Sequence, residues 1–380
     1  MFRRVGYDPA SGQYLDLSFG AVIRSVDTLI DPVPDALFIA PAWIDLQVNG
    51  YAAVDYNSPL TPLEEIARSA SVLHSTGTGR FYPTVITGSE ENMHGSLRNL
   101  ARARRTIPSI EAFHVEGPHI SPEDGPRGAH PRAFVRPPDL EEYRRMQEAA
   151  DGDVRIITLS PEWPDAPSYI EHIVRDGVVA SIGHTKASSD QIQDAVRAGA
   201  TMSTHIGNGA HAEMRRHPNY IWEQLAEDRL AAGFIVDGIH LGPAFLKVAL
   251  RAKTIARAVL VTDASMPAMA EPGPYSLGEV EVELTRDGRV VLLGGDRLAG
   301  SALRMDDAIG NVMRMGGIGL IEALTMATRN PARVGRIGGR QRGLSAGDRA
   351  DLVLFRWHEA EKRVEVVETI VGGESVFRLA

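Results

Sequence analysis

The chain has 380 residues, enough for one large domain and a smaller one. Its formal net charge of −9 is spread without blocks of like charge, which argues against nucleic-acid or anionic-membrane partners. It has no cysteine, which excludes disulfides, thiol nucleophiles and cysteine-held metals and fits a reducing cytoplasm.

The start, Met1 to Pro9, carries basic residues with no apolar stretch behind them, so no secretory signal is expected there. No apolar run approaches the roughly 20 residues of a membrane helix. Short strand patterns follow at 16–24 and 37–40. Eight further strand-like runs then alternate with helical patterns: Trp43–Val48, Arg80–Ile86, Ala112–Glu116, Val154–Leu159, Val179–His184, Thr201–Ile206, Gly233–Asp237 and Ala258–Asp263. Alternation of this kind is the signature of βα units on a parallel sheet. Thr61 is the expected N-cap of a helix with Pro62 in its first turn. The helical pattern from Ser188 ends at Gly199, and another covers 242–251. Residues from about 277 to 299 break the rhythm and predict a hairpin turning at Asp287-Gly288. The tail partly alternates apolar and polar residues over 350–357 and 363–377, the period of half-buried strands.

The expected architecture is therefore α/β. A (β/α)8 TIM barrel over 41–340 carries the hairpin insertion, and the segments 1–40 and 341–380 form a small β-sandwich domain. A doubly wound sheet has the same alternation, so strand count leaves closure open.

Four of the runs end in a residue with chemistry: Glu116, His184, His205 and Asp263. Each has an ordinary reading alone: a histidine capping a strand, a surface glutamate before the Gly117-Pro118 turn, an aspartate capping the next helix. Together they point elsewhere, because a closed barrel gathers its strand C-termini on one face. One carboxylate and two imidazoles suit Zn2+ or a similar divalent ion, and a separate aspartate supplies a proton acceptor. That set predicts metal-assisted hydrolysis. His130, His240 and Asn208 lie in loops after strands three, seven and six and are candidates for substrate contact. Arg215 and Arg216 could clamp an anion or simply form a solvated basic face. His211 and His217, in the loop after strand six, are given no metal role. No dinucleotide fingerprint, phosphate loop or nucleophile elbow is present.

The chain resembles the N-acetylglucosamine-6-phosphate deacetylase family of the amidohydrolase superfamily. The matching stretches are Pro41-Ala-Trp-Ile-Asp-Leu-Gln-Val-Asn-Gly50, His114-Val-Glu-Gly-Pro-His-Ile-Ser-Pro122, Gly128-Ala-His130, Ser181-Ile-Gly-His-Thr185, Thr204-His-Ile-Gly-Asn208, Asp237-Gly-Ile-His240, Val261-Thr-Asp-Ala264 and Asn330-Pro-Ala332. The tail Gly343 to Val353 is similar to the one that closes the small β domain in this superfamily. The resemblance implies that Glu116, His184 and His205 bind one divalent metal ion per subunit, Zn2+ first and Fe2+ or Mn2+ as alternatives. Gln47-x-Asn49 stands where many amidohydrolases carry His-x-His, which argues against a second metal. Asp263 is implied to take a proton from the attacking water and pass it to the leaving amine. His130 is implied to help polarise the acetyl carbonyl. Asn208, the backbone at Gly209 and His240 are implied to hold the sugar or its phosphate. A homodimer is implied, with Arg216 of the neighbouring subunit on the phosphate. The loop after strand six departs from the family pattern Thr-His-Leu-Phe/Tyr-Asn-Ala-Met: the aromatic is lost and Gly207, Gly209 and His211 are gained.

The expected reaction is hydrolysis of the acetamide of N-acetylglucosamine 6-phosphate, a step of amino-sugar catabolism. The alternatives are another N-acetylated substrate (N-acetylgalactosamine 6-phosphate, an unphosphorylated amino sugar or an N-acyl amino acid) or, in a different class, an inactive barrel that serves as a binding protein.

Overall fold

In the computed structural model, which describes residues 1–380, eight parallel strands form one sheet in sequence order. They are Trp43–Val48, Thr78–Ile86, Phe113–Glu116, Val154–Leu159, Val179–Ile182, Met202–Ser203, Ala231–Phe234 and Ala258–Leu260. The sheet closes. Asn49 N donates to Ala264 O at 2.7 Å and Asp263 N to Gln47 O at 3.0 Å, which joins the first strand to the end of the eighth. The buried carboxylate of Asp45 reinforces the seam by accepting the Thr262 hydroxyl. Closure excludes the doubly wound alternative.

These strands are buried almost end to end because helices cover them outside and neighbouring strands fill the inside. Phe113, Val115 and Ile157 pack with Leu97, Met146, Ile170 and Ile192 of the surrounding helices. The fifth and eighth strands end two and three residues early, at Ile182 and Leu260, and two others depart further from their expected ranges. The sixth is only Met202–Ser203, because His205 turns to φ +24° just beyond it. The seventh is Ala231–Phe234 rather than 233–237. Pairing with Met202 and Ser203 selects the small residues Ala231 and Ala232, while Ile235 and Val236 are buried without joining the ladder.

The helix from Ser189 to Arg197 has Ser188 and Gln191 in a capping box, a reciprocal pair that satisfies two otherwise free N–H groups. Pro243 opens the helix that runs to Lys253. Thr61 is not an N-cap. Pro62 occupies that position before the helix Leu63–Ser75, and the Thr61 hydroxyl donates to Asp55 O instead.

The insertion after the eighth strand has three antiparallel strands, Gly273–Leu277, Val280–Leu284 and Val290–Leu292. The hairpin at Asp287-Gly288 is present. The additional edge strand contains Gly273 and Pro274, residues that read as loop in a sequence but are tolerated at a sheet edge. Leu277, Val282 and Leu284 pack on Ile86, and Asp55 accepts Gly278 N at 2.8 Å. The insertion is thereby docked over the C-terminal face of the barrel.

The terminal segments meet in one seven-stranded sheet, in the order Glu374–Arg378, Arg363–Val371, Leu352–His358, Phe38–Pro41, Phe2–Asp8, Gln13–Phe19 and Ile23–Leu29. It folds over its own core, where Leu17, Phe19 and Ile23 meet Leu352, Leu354 and Ile370. Asp351 anchors this sheet to the barrel. It accepts Arg80 Nε and Nη2, each at 2.9 Å, and Arg340 Nη1 at 2.8 Å. Burial works against its charge, but the two guanidinium groups prevail and hold the carboxyl at about 2. No helix of the chain is long and apolar enough to cross a membrane.

Candidate active site

At the C-terminal face of the barrel, a cavity opens between the strand ends and the insertion. Glu116, His184, His205 and Asp263 all line it, although they come from the third, fifth, sixth and eighth strand ends. His130, Asn208, Gly209 and His240 also line it, and so does Asn49. Three of these side chains leave the backbone in the left-handed region: His184 at φ +48°, His205 at +24° and Asp263 at +51°. L residues seldom adopt it, and such conformations persist where the surroundings over-determine them.

Glu116 Oε1 is the hub. His205 Nε2 is 2.9 Å from it and His184 Nε2 3.2 Å, and the two nitrogens are 3.1 Å apart. His130 Nε2 is 3.3 Å from His184 Nε2. The tautomer of His184 follows from its other nitrogen. Nδ1 lies 2.9 Å from the carbonyl of Pro126, which can only accept, so Nδ1 carries the proton. Nε2 of the same ring faces a carboxylate oxygen and two further imidazole nitrogens. Lone pairs facing one another repel unless a positive charge sits between them. Ligand atoms of Glu116, His130 and His184 lie within 4.8 Å of one another, and His205 Nε2 adds a fourth donor at the distances above. This donor set, one hard oxygen and borderline nitrogens with no thiolate, fits a divalent cation.

Gly209 closes one side of the His184 ring. A Cβ there would stand 2.7 Å from His184 Nδ1, and φ is +55°, so only glycine fits.

Gln47 and Asn49 have a part that the sequence reading missed. Gln47 Nε2 donates to Glu116 Oε1 at 3.1 Å and to Asp263 Oδ1 at 3.0 Å, using both amide hydrogens. Asn49 Nδ2 donates to the same Asp263 oxygen at 2.7 Å. The amides that displace His-x-His thus act as spacers between two buried carboxylates. The available signal was chemical: an amide NH2 has two donors and can bridge two acceptors.

The electrostatics separate the carboxyl groups. Burial would raise Glu116, but the two imidazoles reverse this and hold it well below the usual range. Burial raises Asp263 to about 6, with the Glu116 charge adding to the shift. Burial lowers His130 to about 3, with His184 next in effect, so that ring is neutral near pH 7. Burial disfavours the charged His205 ring as well, yet the Glu116 carboxylate outweighs it and the pKa is raised. Two carboxyls pushed apart in this way suit distinct roles, one as anchor and one as proton carrier.

On the loop side, His240 Nδ1 is 2.6 Å from Asp237 Oδ2, which fixes the ring. Asn208 Nδ2 donates to His205 O at 3.3 Å. Arg216 is exposed and does not line the cavity of its own chain. The contact expected of it needs a neighbouring subunit.

The sequence model of the amidohydrolase family matches residues 38–376, and the chain belongs to that family. More particularly, it is 31% identical over 346 residues to the N-acetylglucosamine-6-phosphate deacetylase of Bacillus subtilis, covering 89% of this chain and 84% of that one. It is 33% identical over 342 residues to the N-acetylgalactosamine-6-phosphate deacetylase of Shewanella sp., covering 90% and 83%. Among solved structures it is similar to the N-acetyl-D-glucosamine-6-phosphate deacetylase of Mycobacterium smegmatis in complex with N-acetyl-D-glucosamine-6-phosphate, with a TM-score of 0.86, 28% identity and 96% and 94% of the two chains covered.

Proposed function

We propose that this protein is a divalent-metal-dependent deacetylase that hydrolyses N-acetylglucosamine 6-phosphate to acetate and glucosamine 6-phosphate. The observation that carries this reading is the convergence of Glu116, His184 and His205 on one point, with Asp263 bridged to Glu116 by Gln47. Glu116, His184 and His205 are assigned to hold one ion, Zn2+ before Fe2+ or Mn2+. When bound, a divalent ion supplies Lewis acidity that acidifies water and polarises the acetyl carbonyl. Asp263, ionised above about 6, accepts the proton of the attacking water and delivers it to the amine nitrogen as the C–N bond breaks. Neutral His130 donates a hydrogen bond to the acetyl oxygen as negative charge develops on it. Asn208 and the backbone at Gly209 orient the sugar. The cavity lining has no lysine or arginine, so the phosphate is assigned to His240 and to Arg216 of a second subunit in a homodimer. We divide the chain into a barrel over 41–340 and a small domain of 1–40 with 341–380. The absence of cysteine supports a cytoplasmic setting.

A second reading, deacetylation of N-acetylgalactosamine 6-phosphate, is favoured by the altered loop after strand six and by relatives of that name. Acetate release measured side by side from both phosphorylated sugars and from N-acetylglucosamine decides between them. The highest kcat/KM is expected for N-acetylglucosamine 6-phosphate. Preference for the galactose epimer would select the second reading, and no release from any of the three would end both.

A further inference from the structure

The loop after strand six gains a histidine, and its contacts reach the far side of the active site. His211 has both ring nitrogens engaged. His211 N donates to the Tyr220 hydroxyl at 2.8 Å, which leaves that hydroxyl free to give its own proton to His211 Nδ1 at 3.0 Å. Nδ1 is therefore the acceptor, and Nε2 carries the hydrogen that points at Glu123 Oε1, 2.9 Å away. The other oxygen of Glu123 accepts the Lys186 ammonium. His211 also packs against Gly125, where a Cβ would meet His211 Cδ2 at 3.1 Å and His211 Cα at 3.2 Å, and where φ is +96°.

Glu123 and Gly125 belong to the segment that shapes the surroundings of His184. Arg127 N donates to Glu123 O at 2.9 Å, and Gly128 N to Gly125 O at 3.0 Å. Between them, Pro126 presents the carbonyl that accepts His184 Nδ1–H, and the segment ends at His130. Whatever holds 123–130 in place sets the tautomer and direction of His184 and the position of His130.

We propose that His211 is a positioning residue: as a latch between the loop after strand six and the segment 123–130, it fixes the Pro126 carbonyl that orients His184. The inference rests on the metal-dependent reading above. Groups behind a metal-binding imidazole tune its direction and basicity, and their loss weakens affinity or activity about 10–100-fold.

The test compares wild type with His211→Ala, His211→Gln, Glu123→Gln and the double variant His211→Ala/Glu123→Gln. Zn2+ affinity is read by competition with a chromogenic chelator, and thermal unfolding is followed on the metal-free proteins. Expected for His211→Ala is Zn2+ binding weaker by about 10–100-fold, kcat reduced by a similar factor, and KM within about twofold. His211→Gln keeps an N–H donor for Glu123 and should recover most of the affinity. The double variant should bind no more weakly than the worse single one, because both break the same link. Unchanged Zn2+ affinity in His211→Ala overturns the latch, and so does a lowered unfolding midpoint without an affinity change. Failure of glutamine to rescue, or multiplying losses in the double variant, overturns it as well. Wild type that binds Zn2+ but turns over no N-acetylated sugar phosphate ends the substrate reading alone, and the Zn2+ comparison still judges the latch. Wild type that binds none of Zn2+, Fe2+ and Mn2+ ends both.

Discussion

The strand ends and the loop that follows the sixth strand share one cavity and are held by different means. Glu116, His184, His205 and Asp263 are buried, sit on a closed sheet and are linked through one carboxylate oxygen and a bridging amide. Residues 207–219 are mostly exposed, carry Arg216 outward, and are fastened by side chains such as His211 and Asn219. Chemistry that must be geometrically exact rests on the sheet. Under the proposed function, recognition of the sugar phosphate falls to the exposed loop, where a side chain such as Arg216 can change without disturbing the sheet.

If that division holds, disturbing the strand ends, or the His211 contact that reaches back to them through Glu123, should remove turnover, and disturbing an outward side chain of the loop such as Arg216 should change substrate binding. The largest effect is expected from the metal: chelation should abolish acetate release and added Zn2+ should restore it. Activity that survives exhaustive chelation would break the comparison at its base. Next, Asp263→Asn should lower kcat by about 10²–10⁴-fold, the usual worth of a proton carrier. The sign of its pH dependence follows from its pKa of about 6 in the chain alone. The base is the ionised form, so kcat/KM should rise with pH along a limb at or below that value, since a bound cation lowers it further. The variant should lose this limb, and a pH series on both proteins checks it.

Gln47→Ala should reduce kcat by about 10–100-fold and move the limb to higher pH, because both ionised carboxylates lose a donor. An unmoved limb would show that the amide bridge does not tune Asp263. Smallest is Arg216→Ala, with KM for the phosphorylated sugar raised about tenfold and kcat nearly unchanged. An equal loss on unphosphorylated N-acetylglucosamine would remove Arg216 from the phosphate and blur the division.

The same division explains what the sequence disclosed. The candidate ligands were legible because each ends a strand-like run, and a closed barrel gathers the ends of such runs on one face. Closure itself was not legible, since it depends on the seam between Asn49 and Ala264, residues far apart in the chain. The strand Gly273–Leu277 was hidden by its glycine and proline, and the seventh strand was displaced toward the more apolar Phe234-Ile-Val run. Gln47 was read only as a poor metal ligand, whereas its hydrogen bonds to Glu116 and Asp263 depend on distances across three strands. His211 looked like a loop histidine until Glu123 and Tyr220 appeared on either side of its ring.

The seven-stranded terminal sheet has a consequence for how the chain matures on the ribosome. Phe38–Pro41 pairs with Leu352–His358, and the Asp351 anchor under the barrel emerges equally late. At about 5–20 residues per second, the first strands wait on the order of tens of seconds for their partners. Throughout that interval Leu17, Phe19 and Ile39 have no Leu352 or Leu354 to cover them. The nascent amino-terminal segment thus keeps apolar surface uncovered until the last strands emerge, and loss of residues 352–378 would leave the barrel beside an unpaired Phe38–Pro41 edge.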